Sequence, residues 1–115
     1  MIYIFSAFYA EAKNIIDHYG LKKEKSPEMV RFDVFTNESI RLVITGVGEI
    51  NAAAAVSNIG GAYGISPDDE ILNVGCGAGF SSDICLGSIF LGNKLTEQMT
   101  GRTFYPDMLM KANFR

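Results

Sequence analysis

At 115 residues, with 48% hydrophobic and 20% charged side chains, the chain has room for one compact domain and too little length for two. Its formal net charge is -3, and its basic residues cluster nowhere beyond Leu21–Lys25, which weighs against nucleic acid as a partner because phosphate binding needs several convergent cations. A lone histidine, and two cysteines without metal-type spacing, rule out a zinc centre, and no apolar run approaches a membrane span.

Residues 1 to 6, MIYIFS, read as a buried strand without the basic start of a secretory signal, so a reduced, cytoplasmic protein is expected. From about Phe8 to Tyr19 the period changes to that of a helix, with Ala12, Ile15, Ile16 and Tyr19 on one face. Gly20 stands where helices commonly stop, and His18, in the last turn, reads as a surface residue favoured by the helix dipole. MVRFDVFT at 29 to 36 alternates as a half-exposed strand does, and SIRLVITG at 39 to 46 follows closely enough to complete a hairpin. An alanine-rich helix is predicted from about Glu49 to Tyr63, entered through the glycine loop Gly46–Val47–Gly48. DEILNVGCGAGF gives a strand running into glycines, and LGSIFLGNKL at 86 to 95 a further strand. Beyond Thr96 the pattern weakens into loop and uncertain helix.

That order predicts an α/β domain: a mixed β-sheet flanked by helices rather than pure βαβ repetition. Met1–Ser6 and Ile71–Gly75, each apolar on two faces, are expected to be neighbouring central strands.

The glycines at 75, 77 and 79 suit a loop that brings backbone close to a ligand. A methyltransferase or dinucleotide loop would continue into a helix, whereas the residues after Phe80 carry two glycines and a β-rich core. Three segments together, FSAFYAEAKNI, ITGVGEINAAAAVSNI and ILNVGCGAGFSSDICLGSIFL, instead resemble the purine nucleoside phosphorylase and nucleosidase superfamily over about residues 1 to 95. The match is nearest to the methylthioadenosine/S-adenosylhomocysteine nucleosidases.

The resemblance implies a nucleoside phosphorylase-like fold and cleavage of a purine nucleoside's N-glycosidic bond, with no cofactor and no metal. It gives Glu11 the role of activating the attacking water. Val47 would line the pocket for the 5′-substituent, while Cys76, Gly77 and Ala78 would approach ribose and base. Cys76 stands where the nucleosidases commonly have serine and is the weaker donor; Ser88 stands where they usually have aspartate. Phosphorylases carry arginines in the first loop and before the glycines, where this chain has SAFYAE and Asn73, so hydrolysis is favoured over phosphorolysis.

Family members are about twice as long, so the resemblance also implies that residues 1 to 115 are the N-terminal half of such a domain, an incomplete fold inactive by itself. Strand edges left uncovered would then favour a homo-oligomer. Arg102 and Asp107 read as a loop near the pocket or a subunit interface. A non-catalytic nucleoside-binding or interaction module is the alternative of a different class.

Overall fold

The computed structural model describes residues 1 to 106, and Asp107 lies outside them. The chain divides into two compact units, Met1–Gly77 and Ala78–Arg115.

The first unit holds a five-stranded sheet in the order β2-β3-β4-β1-β5. Its strands are β1 (Ile2–Ser6), β2 (Lys22–Lys23), β3 (Asp33–Thr36), β4 (Ile40–Ile44) and β5 (Glu70–Asn73), with helices α1 (Tyr9–Tyr19) and α2 (Glu49–Tyr63). β1 runs parallel to both β4 and β5, while β2, β3 and β4 are antiparallel in succession, so the sheet is mixed.

Strand alternation sorts the core into two layers. On one face Ala12 and Ile16 of α1 pack with Ile4, Leu21, Ile40 and Leu42. On the other, Ala55 and Ile59 of α2 pack with Tyr3, Phe5, Val34 and Val43. The sheet is therefore sandwiched between the helices, and the small Ala12 and Ala55 let each helix approach closely. Burying side chains such as Leu42 and Ile59 completely contributes about 1.5–3 kcal/mol apiece.

Local chemistry sets the element ends. Gly20 closes α1 in the left-handed conformation, φ 62°, its N–H donating to the Ile16 carbonyl. The β3–β4 turn is held by Asn37, whose Oδ1 accepts from the backbone N–H groups of Ser39 and Ile40, both at 2.8 Å.

Three expected elements come out differently. The strand over 29 to 36 begins only at Asp33, because the backbone before it bonds to α2: Asn58 Oδ1 accepts from Arg31 N–H at 3.0 Å and Asn58 Nδ2 donates to the Met29 carbonyl at 2.8 Å. β5 is indeed a neighbour of β1, but it is the last strand of the sheet rather than a central one, and its residues are largely exposed. Apolar residues on two faces signalled cover that the two helices give to β1 and β4 instead.

The expected strand over 86 to 95 does not form as a unit: Ser88 N–H bonds to the Cys85 carbonyl in a turn with Gly87 at φ 84°, a left-handed conformation that breaks an extended run, and only Leu95 enters a strand. The second unit's only strands among the described residues are the short antiparallel pair β6 (Leu95–Thr96) and β7 (Thr103–Phe104). Arg102 lies in the turn between them, its guanidinium 5.7 Å from the Phe104 ring centre. No described helix is long and apolar enough to cross a membrane.

Candidate functional site

Because β1, β4 and β5 are parallel, their carboxyl ends lie together, and the chain leaves adjacent β1 and β4 toward opposite faces of the sheet. β1 continues through Ala7 and Phe8 into α1 on one face; β4 continues through Thr45–Gly48 into α2 on the other. Such a divergence marks the position where parallel α/β sheets usually form a ligand crevice.

The crevice floor is tied by backbone bonds from Thr45 N–H to the Ser6 carbonyl (2.8 Å) and from Gly46 N–H to the Ala7 carbonyl (3.1 Å). Ser6, on the α1 face between Ile44 of β4 and the residue after β5, Val74, is 1% exposed. Its hydroxyl has no hydrogen-bond partner among the described residues.

Glu11 stands in the first turn of α1, half-buried. Its Oε2 lies 3.0 Å from the point that a Cβ on Gly75 would occupy, so glycine at 75 is what lets the carboxylate rest on the β5 loop. Cys76 and Gly77 follow directly, and Cys76 is an exposed free thiol. Val47, 60% exposed, stands in the β4–α2 loop between Gly46 (φ 82°) and Gly48 (φ 95°). Asn51 holds that loop by donating from Nδ2 to the Val47 carbonyl at 2.7 Å.

Val47, Cys76 and Gly77 thus fall on loops at one end of the sheet, and Glu11, in the first turn of α1, is brought against the glycine that precedes Cys76. Ala78 begins the second unit and is exposed. Sequence reasoning missed Gly75 as the neighbour of Glu11, although glycine immediately after an apolar strand was the available signal. It also missed Ser6, a polar residue closing the alternation Ile2, Ile4, Ser6.

A separate polar cluster occupies the opposite, amino-terminal end of β4. Arg41 donates from Nη1 to the Tyr3 hydroxyl (3.0 Å), lies 3.8 Å from the Tyr63 ring centre and sits 3.9 Å from Glu24. The Tyr63 hydroxyl donates to Glu24 Oε2 (2.5 Å), and burial followed by that hydrogen bond raises its pKa above the ordinary 10.0. Among the described residues no three His, Cys, Asp or Glu side chains gather as metal ligands would.

Comparison of the chain with protein-family models, with curated proteins and with solved structures returns no match.

Proposed function

We propose that the crevice at the carboxyl ends of β1, β4 and β5 takes a purine nucleoside of the methylthioadenosine type and contributes to hydrolysis of its N-glycosidic bond. The observation that carries this reading is the placement of Glu11 against Gly75, at the loop ends where parallel sheets bind ligands. A carboxylate there accepts a proton from water as the water oxygen bonds to the anomeric carbon. The carbon–nitrogen bond breaks, its electron pair leaves with the purine, and a proton from a donor or from solvent neutralises the departing base. Glu11 then returns its proton to solvent.

Hydrolysis is preferred to phosphorolysis because the crevice loops of the first unit, residues 7–8, 45–48 and 74–77, carry no cation to hold phosphate. Arg41, the cation packed into the first unit, is committed to Tyr3, Tyr63 and Glu24 at the far end of β4. Groups that stack the purine, grip the ribose hydroxyls and protonate the base come, on this reading, from further chain or from a partner.

A second reading, binding without turnover, is favoured by one feature: those same loops offer no acid to protonate a leaving purine. Calorimetric titration with adenine and methylthioadenosine, run beside a hydrolysis assay, separates the two. Binding with release of adenine supports the hydrolase, binding alone supports the module, and no binding rejects both.

A further inference from the structure

The two edges of the five-stranded sheet differ in how they are guarded. One edge is β2, two residues long and made entirely of lysine. Any antiparallel pairing of β2 with its own copy would set lysine opposite lysine, which is a common protection of an edge strand. The other edge is β5, which carries no lysine, no proline and no bulge, and Ile71 within it is 52% exposed.

The backbone of β5 is open in a defined pattern. The N–H groups of Glu70 and Val74 donate to the carbonyls of Met1 (3.1 Å) and Phe5 (3.0 Å). Strand alternation therefore turns the N–H and C=O groups of Ile71 and Asn73 to the side away from β1, where no described strand pairs with them.

We propose that this edge pairs antiparallel with β5 of a second copy of the chain, about a two-fold axis perpendicular to the sheet, joining two sheets into one. Such an axis keeps each face on its own side, so opposing residues must have the same parity. Two registers satisfy this while setting three residues of β5 opposite one another. In one, Ile71 faces Ile71 of the second copy and Glu70 faces Leu72; in the other, Leu72 faces Leu72 and Ile71 faces Asn73. Neither puts Glu70 opposite Glu70, so β5 can face its own copy without opposing like charges, as the all-lysine β2 cannot. The pairing extends the sheet edge independently of the chemistry proposed for the crevice. With only Ile71 and Asn73 presenting outward bonds within β5, the dimer is weak and forms at high protein concentration.

The test uses the full chain. Sedimentation over a wide concentration range, with hydrogen exchange read at single amides, should show a monomer–dimer equilibrium in which the Ile71 and Asn73 amides slow as concentration rises. Ile71→Lys places like charges near the axis, and Asn73→Pro removes one outward N–H while sparing the β1 ladder. Each should raise the dimer dissociation constant at least tenfold with circular dichroism unchanged. A monomer at every concentration, a dimer indifferent to both variants, or an open-ended polymer would overturn the proposal. Should either variant lose its fold, the concentration dependence of the two wild-type amides decides.

Discussion

At the scale of single residues, the crevice hinges on what Gly75 lacks and what Ser6 has. A methyl added at Gly75 would stand 3.0 Å from Glu11 Oε2. Gly75→Ala should therefore displace the carboxylate while leaving the fold intact, because a flexible side chain yields before backbone does. If Glu11 works on water, turnover should fall about ten- to a hundredfold, the scale of a small misplacement of a reacting group; unchanged turnover would detach Glu11 from the chemistry. Ser6 makes the opposite prediction for stability. A buried hydroxyl without a partner costs about 1–3 kcal/mol, so Ser6→Ala should leave stability unchanged or raise it by about 1 kcal/mol in urea unfolding. A loss above about 1 kcal/mol would mean that the hydroxyl is bonded in solution.

At the scale of elements, the features legible in the sequence were those written in local periodicity. The helix expected over about Glu49–Tyr63 coincides with α2, and that expected from about Phe8 starts one residue before α1, because Gly20 and the Gly46–Gly48 loop mark boundaries in the sequence. β1, β4 and the hairpin that brings β3 against β4 followed from alternation. What escaped depends on distant partners. Asn58 on α2 claims the backbone of Met29 and Arg31, and nothing near residue 29 announces it. The apolar letters of LGSIFLGNKL at 86 to 95 suggest a strand, but no neighbouring strand pairs with residues 86 to 94 among the described residues, and Gly87 is left-handed. Within the site, Glu11 and the glycine loop were legible, whereas the contact between them required the parallel register of β1 with β5.

The Arg41–Glu24–Tyr63 cluster carries a pH signature of its own. Tyr63 keeps its proton more tightly folded than unfolded, so its contribution to stability is complete below pH 10 and is lost as pH rises through the raised folded value. Tyr63→Phe should flatten that alkaline loss in denaturation curves taken from pH 9 upward, and an undiminished loss would place its origin elsewhere.

For the whole molecule, both core clusters fall within Met1–Gly77 and none of their members within the second unit. A chain of residues 1–77 should accordingly retain its helical circular dichroism and one cooperative thermal transition. A broad, non-cooperative melt would show that the sheet depends on residues 78 onward.

The central claim, a nucleoside site whose chemistry depends on Glu11, is tested most directly by a paired measurement on the full chain and Glu11→Gln. Methylthioadenosine affinity and adenine release are followed together, with any partner that activity requires supplied equally to both proteins. The account predicts that glutamine, nearly isosteric, leaves the dissociation constant within about threefold while hydrolysis drops about a hundredfold or more, the scale for loss of a general base. Equal hydrolysis by the two proteins, or no nucleoside bound by either, would contradict it.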